Sequence, residues 1–120
     1  MKSLISFFEI PSTDFTRAVD FYQTVLDEEL QISECGEEKL ACFTVDGETV
    51  GAVYQAPGFQ PSSGGVLIHF NCPDIEAALE RAVQKGGGIV IPKTKILAEG
   101  KGCFAVFADP DGNRVGLYAE

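Results

Sequence analysis

The sequence predicts a single α+β domain of two tandem β-α-β-β-β modules, whose curved mixed sheets enclose a cavity. One pattern of strand, helix and three strands occurs twice, with a shift of 60 residues that places Asp14 on Asp74 and Glu9 on His69. A stretch rich in Pro, Gly and Ser separates the two copies. The chain has 120 residues, 45% of them hydrophobic, which suits one domain with a filled core. The predicted first module covers residues 1–56, the linker 57–65 and the second module 66–120.

The first module begins with an apolar, β-prone run over residues 4–10. Helix-capping residues follow at 12–14, and apolar residues then recur at the spacing of one buried helix face. The residues of that face are Phe15, Ala18, Val19, Tyr22, Val25 and Leu26. The predicted strands after this helix cover residues 30–33, 40–45 and 49–54. A hairpin turn between the last two is indicated by Asp46-Gly47.

The second module repeats this order. A strand at 66–72 precedes a helix that starts at Asp74 and ends at three glycines, residues 86–88. The apolar face of this helix consists of Ile75, Ala78, Leu79, Ala82 and Val83. The predicted strands after the helix cover residues 89–91, 103–108 and 113–118. The last two are joined by Asp-Pro-Asp-Gly at 109–112, which is typical of a tight turn.

Composition excludes several classes of partner. The net charge is −9, and Lys and Arg are scattered, so a nucleic-acid partner is not expected. No apolar run approaches the roughly 20 residues that cross a bilayer, so no membrane partner is predicted. The apolar start of the chain is too short for a secretory signal, and we expect a cytoplasmic protein. The four cysteines match neither zinc-binding nor redox spacings.

Three motifs follow one another along the chain. Residues 14–22 are Asp-Phe-Thr-Arg-Ala-Val-Asp-Phe-Tyr, residues 74–87 begin Asp-Ile-Glu-Ala-Ala-Leu and end Lys-Gly-Gly, and residues 102–113 end Asp-Pro-Asp-Gly-Asn. They resemble, in turn, the opening helix, the second-half start and the closing strand-turn-strand of vicinal oxygen chelate (VOC) proteins, the glyoxalase/bleomycin-resistance/dioxygenase superfamily. The opening at residues 8–11 resembles a glyoxalase-related subgroup. The resemblance covers nearly the whole chain and implies the same two-module fold.

The resemblance also implies a metal site whose ligands this sequence lacks. The superfamily includes glyoxalase I, extradiol dioxygenases, fosfomycin-resistance transferases, epimerases and bleomycin-binding proteins, and its enzymes typically hold a divalent metal with His and Glu. Three of the four ligand positions carry over to Phe7, Leu67 and Gly116. The other lies within 49–56, which contains no His, Asp, Glu or Cys. Because a metal needs about three or four protein ligands, we predict no metal, no cofactor and no metal-dependent glyoxalase or dioxygenase activity.

Further candidate residues share the strand faces of these lost ligand positions. Strand side chains alternate, so residues two or four positions from a cavity-facing residue face the cavity as well. The ligand-binding candidates are Phe7, Leu67, Asn71, Arg114, Gly116 and Tyr118. Glu9 and His69 occupy matching places in the two modules, and we predict that they form a polar pair at the cavity floor. Such a pair is either an acid and a base or an ion pair that only fixes the packing of the sheets.

Three functions stay open from the sequence. The first is binding of a small organic ligand without a metal, similar in outline to bleomycin-type sequestering proteins. The second is a metal-independent lyase or isomerase, in which His69 and Glu9 are the catalytic acid and base. The third is an accessory domain without chemistry of its own. The resemblance further implies a homodimer that completes the cavities between subunits.

Overall fold

The computed structural model describes residues 4–120, so Met1, Lys2 and Ser3 of the predicted first module lie outside the described residues. The element order is β-α-β-β-β repeated twice, as predicted. The first module contains β1 (Phe8–Pro11), α1 (Phe15–Leu26), β2 (Gln31–Cys35), β3 (Glu38–Val45) and β4 (Glu48–Gln55). The second contains β5 (His69–Asn71), α2 (Ile75–Gln84), β6 (Gly88–Lys95), β7 (Cys103–Ala108) and β8 (Arg114–Ala119).

Each module forms its own four-stranded mixed sheet. The strand orders are β1-β4-β3-β2 and β5-β8-β7-β6. The first strand of each module is parallel to the last, and the other pairs are antiparallel. The predicted α+β class and the two tandem modules are therefore confirmed. The exact module boundaries at residues 56 and 66 stay a prediction.

Both helices are capped at the N-terminus by an aspartate and bury one apolar face. The Asp14 side chain accepts a hydrogen bond from the Arg17 backbone N–H, and Asp74 caps α2 in the same way through Ala77. The buried residues of α1 are Phe15, Ala18, Val19, Phe21, Tyr22 and Val25, and those of α2 are Ile75, Ala78, Leu79 and Ala82. The prediction for Val83 was wrong, since half of its surface is exposed. Val83 lies at the edge of the buried stripe of α2.

The hydrophobic core lies between the helices and one face of each sheet, and it joins the two modules. The Phe21 ring of α1 packs 5.6 Å from Phe107 of β7, and the Phe8 ring of β1 packs 5.7 Å from Phe70 of β5. The helices also contact each other directly, because Arg81 donates hydrogen bonds to two carbonyl oxygens of α1. The two halves of one chain therefore share a continuous core.

Three strand limits differ from the predictions by three or more residues. β1 starts at Phe8 and β5 at His69, whereas strands were expected from residues 4 and 66, and Leu4 and Val66 are almost fully exposed. Apolar composition gives strand propensity, but pairing with β4 and β8 decides where each ladder begins. β6 extends to Lys95 through Pro92, which is tolerated because β6 is an edge strand. Within residues 4–120, neither helix has the length and hydropathy needed to cross a membrane.

Candidate functional site

One cavity lies between the modules, where the end of β1 faces the start of β8 and the linker crosses. We call it the inter-module cavity, and its volume is about 640 Å³. Its apolar walls include Ile5, Phe8, Ile10, Phe59, Ile68 and Val115. Glu9 and Arg114 are the charged residues that line it. An apolar cavity with a few polar groups can bury an organic molecule and fix its orientation.

Asn113 ties three walls of this cavity together. Its Nδ2 donates hydrogen bonds to the Pro11 carbonyl oxygen at 2.8 Å and to Asp109 Oδ2 at 2.9 Å. Its Oδ1 accepts a hydrogen bond from the Ser62 backbone N–H at 3.1 Å. The end of β1, the linker and the β7–β8 turn are thus held by one buried amide. Sequence reasoning missed this role, because Asn113 was predicted only as the first residue of a strand and only the fold brings Pro11 and Ser62 to it.

Asp109 anchors the same network to α1. The Tyr22 hydroxyl donates to Asp109 Oδ2 at 2.6 Å, and the backbone N–H groups of Asp111 and Asn113 donate to Oδ1. Burial raises the pKa of Asp109 above its usual value, although the hydrogen bonds from Tyr22 and Asn113 lower it. Burial, followed by the charge of Asp109, holds the pKa of Tyr22 well above its ordinary value. Tyr22 is therefore a neutral donor, and the Asp-Pro-Asp-Gly turn has the structural role expected of it.

A second cavity of about 390 Å³ lies near the C-terminal end of α1. We call it the α1-end cavity. His69 and Asn71 line it, whereas Glu9 and Arg114 line the inter-module cavity. Phe8 and Ile68 line both and form the wall between them.

The His69 ring covers Gly116. These two residues are partners in the parallel β5–β8 ladder, and a Cβ atom built on Gly116 would lie 2.2 Å from His69 Nδ1. The ring also meets Phe104 edge to face, with ring centres 6.2 Å apart. The space above Gly116 is thus taken by the single histidine of the chain.

Glu9 and His69 were expected to form a polar pair, but no ion pair joins them in the described part of the chain. Within residues 4–120 the ion pairs join Arg17 to Asp111, Lys85 to Asp20 and Lys93 to Glu76. Neither Glu9 nor His69 takes part in them, and both side chains are exposed and line different cavities. The polar pair at a common cavity floor is therefore corrected to two separate polar groups. Acid and base roles for them stay a prediction.

The other candidates are spread over the open faces of the sheets. Phe7 is 59% exposed and Leu67 is 43% exposed, and both lie outside the described linings of the two cavities. Tyr118 is half-buried, and its hydroxyl accepts a hydrogen bond from the Gly102 backbone N–H at 3.3 Å. Of the predicted site residues, the structure brings Glu9 together with Arg114, and His69 together with Asn71. The aromatic wall from Phe59 was missed, since linker composition says nothing about where the chain folds back.

Comparison with known proteins identifies the family. The sequence model of the family described as Glyoxalase/Bleomycin resistance protein/Dioxygenase superfamily matches residues 4–117. The chain therefore belongs to this superfamily. A glyoxylase-like domain-containing protein from Didymella fabae is 30% identical over 118 residues, which cover 91% of this chain and 88% of that protein.

Solved structures show the same fold. A glyoxalase/bleomycin resistance/dioxygenase domain from Frankia sp. has a TM-score of 0.72 at 17% identity, covering 99% of this chain and 98% of that one. A fosfomycin resistance protein from Listeria monocytogenes has a TM-score of 0.70 at 19% identity, covering 100% and 93%. Glyoxalase I from Zea mays has a TM-score of 0.69 at 21% identity. The match covers 92% of this chain but only 44% of the glyoxalase I chain.

The residues at the positions that the family resemblance implies for metal ligands do not fit a metal. Phe7, Leu67 and Gly116 offer no donor atoms in their side chains, and the ring of His69 lies over Gly116. Within the part of the chain that the structure describes, no three His, Cys, Asp or Glu residues are grouped closely enough to hold an ion. His69 alone cannot replace the three or four ligands that a bound metal requires.

Proposed function

We propose that the protein binds a small organic ligand in the inter-module cavity without the help of a metal. The observation that carries this proposal is an apolar cavity of about 640 Å³ in a superfamily member whose metal-binding positions lack donor side chains. Cavities of roughly 300–1,000 Å³ are typical of small-molecule sites.

The lining indicates which kind of ligand fits. The Phe59 ring packs edge to face on Tyr54 with centres 5.8 Å apart, which fixes its place in the cavity wall. An aromatic or aliphatic body would bury its surface against Phe59 and the other apolar walls. Glu9 and Arg114 can then orient a polar group on the ligand, one as an acceptor and the other as a donor.

A fragment screen by ligand-observed NMR tests this function. Aromatic fragments that bind are titrated into ¹⁵N-labelled protein, with Phe59→Ala as the wall variant and Leu97→Ala as the control, since Leu97 is almost fully exposed. We expect shifts around Glu9, Phe59 and Arg114, and about tenfold weaker binding in Phe59→Ala, equal to about 1.4 kcal/mol. Equal affinity in both variants, or binding only after Ni²⁺ or Zn²⁺ is added, would contradict the proposal.

The alternative of a metal-independent lyase or isomerase has less support. An acid and a base that act on one substrate must both reach it. Glu9 and His69 line cavities that Phe8 and Ile68 separate. Loss of turnover in both Glu9→Gln and His69→Asn would nevertheless favour catalysis over binding.

We also infer a homodimer. The segments that lead into β1 and β5 expose large apolar side chains, which soluble proteins usually cover. These side chains are Ile5, Phe7, Val66 and Leu67. Light scattering coupled to size exclusion should give twice the monomer mass for the wild type. The double variant Phe7→Glu with Leu67→Glu should have the mass of a monomer. Val45→Glu, on a hairpin of the first sheet, is the control, and a monomeric wild type would overturn the inference.

A further inference from the structure

The α1-end cavity differs from the inter-module cavity in its charge. Its floor is apolar and includes Phe8, Leu26, Leu30, Phe43, Val50 and Phe70. Its rim is polar, and the charged residues on it are Glu28 and Glu29, both exposed. No Lys or Arg is found among the described residues that line it. In the inter-module cavity, by contrast, Arg114 balances Glu9.

Other groups around this cavity add to its negative potential. Helix α1 ends at Leu26, is capped by Asp27 and carries no basic residue in its last turn. The C-terminal end of a helix is the negative end of its dipole. Arg81 is bonded to the carbonyl oxygens of Thr24 and Val25 and does not line the cavity. The net charge of −9 acts in the same direction.

We propose that the α1-end cavity is a second binding site, selective for organic ammonium ions with an aromatic or aliphatic body. The body would lie on the apolar floor, where the Phe43 and Phe70 rings pack with centres 5.1 Å apart. The ammonium group would lie at the rim, attracted by Glu28 and Glu29. A neutral molecule of the same shape lacks this attraction, and a carboxylate of the same shape is repelled. The site is separate from that of the proposed function, which does not require it.

The test uses 3-phenylpropylammonium, with 3-phenylpropan-1-ol and 3-phenylpropanoate as its neutral and anionic counterparts. Each is titrated into ¹⁵N-labelled protein at low salt. The ammonium should bind at least fivefold more tightly than the alcohol, the anion should not bind, and shifts should lie at Val50, His69 and Phe70. Binding should weaken as salt is added, because the rim is open to solvent.

Two charge variants separate a local site from general attraction. Glu28→Gln with Glu29→Gln should weaken ammonium binding at least fivefold. Glu34→Gln with Glu37→Gln removes the same charge from the exposed β2–β3 hairpin and should change it less than twofold. Val50→Trp keeps both rim carboxylates, fills the floor and should abolish binding even if the first variant folds poorly.

Three results would overturn the second site. They are equal weakening by both charge variants, equal affinity for the alcohol, and shifts confined to Glu9, Phe59 and Arg114. The last would place the ammonium in the inter-module cavity and leave the proposed function intact. Failure of aromatic fragments to bind beside Phe59 would instead reject the proposed function without affecting the α1-end cavity.

Discussion

Two glycines allow aromatic rings to lie flat across neighbouring strands. A Cβ atom on Gly51 would lie 2.2 Å from the Phe8 ring, and one on Gly116 would lie 2.2 Å from the His69 ring. Each glycine sits in the last strand of its module, beside the first strand. Glycine is required at both positions because an aromatic ring approaches the backbone closely. Neither glycine has a positive φ angle. The family resemblance implies a metal ligand at position 116. Because Gly116 has no side chain, the His69 ring can lie in the space that a Cβ atom would occupy.

Gly116→Ala should displace the His69 ring. We expect a loss of about 1–3 kcal/mol in the free energy of unfolding, because an added methyl group overpacks a close contact. The His69 ring protons should also shift in NMR spectra. Gly64→Ala is the control, since a Cβ there meets only Ser62 Oγ at 4.0 Å. Unchanged His69 resonances in Gly116→Ala would show that the ring does not occupy this space in solution.

At the scale of elements, one side chain, Arg81, forms two hydrogen bonds between α2 and α1. Arg81 Nε donates to the Thr24 carbonyl oxygen at 2.9 Å, and its Nη2 donates to that of Val25 at 2.8 Å. These bonds are partly buried, whereas the Lys85–Asp20 ion pair between the same helices is exposed on both sides. Hydrogen bonds from a charged donor are worth more when shielded from water.

Arg81→Met should therefore destabilise the protein more than Lys85→Met. We expect a loss of about 2 kcal/mol for the first, since two carbonyl groups lose a charged donor, and less than about 1 kcal/mol for the second. Urea unfolding followed by circular dichroism measures both. Similar losses in the two variants would mean that Arg81 contributes no more than a surface ion pair.

The Tyr22–Asp109–Asn113 network predicts a pH dependence. Since burial raises the pKa of Asp109 in the folded state, the folded protein binds its proton more tightly than the unfolded chain does. This residue therefore lowers stability as pH rises above about 4, the ordinary aspartate value, and through its raised pKa. In Asp109→Asn this contribution disappears.

Unfolding experiments from pH 4 to pH 7 measure this effect. The stability of the wild type relative to Asp109→Asn should be greater at pH 4 than at pH 7. Glu34→Gln removes an exposed carboxylate of β2 and serves as the control for loss of one charge. A relative stability that rises with pH would mean that hydrogen bonds outweigh burial at Asp109.

At the scale of the whole molecule, the superfamily fold is kept while Phe7, Leu67 and Gly116, the positions that the resemblance implies for metal ligands, carry no donor atoms in their side chains. A fold can be kept while a site changes, since the buried core holds the fold and both Phe7 and Leu67 lie outside it with exposed side chains. The open faces can thus change without loss of the core.

Metal content after dialysis against Ni²⁺, Zn²⁺ and Mn²⁺ tests this interpretation. We expect well below one ion per chain by elemental mass spectrometry, because His69 lacks companion ligands among the described residues. One ion per chain that is lost in His69→Ala would contradict it. Such a result would return metal-dependent chemistry to consideration.

The sequence by itself determined the periodicities, the capping aspartates, the duplication and the family. These are local or repeated patterns, since the spacing of Phe15, Ala18 and Val19 makes one helix face in any tertiary context. The absence of donors at Phe7, Leu67 and Gly116 was also visible in the sequence, because motifs fix those positions along the chain. A cytoplasmic location stays a prediction.

Only the tertiary structure decided which side chains meet. Asn113 reaches Pro11 and Ser62, about 100 and 50 positions away along the chain, through bonds that no local pattern encodes. Glu9 and His69, matched by the duplication, line different cavities because Phe8 and Ile68 lie between those cavities. Periodicity fixes which way a side chain points from its strand, but the packing of the two modules fixes what lies opposite it.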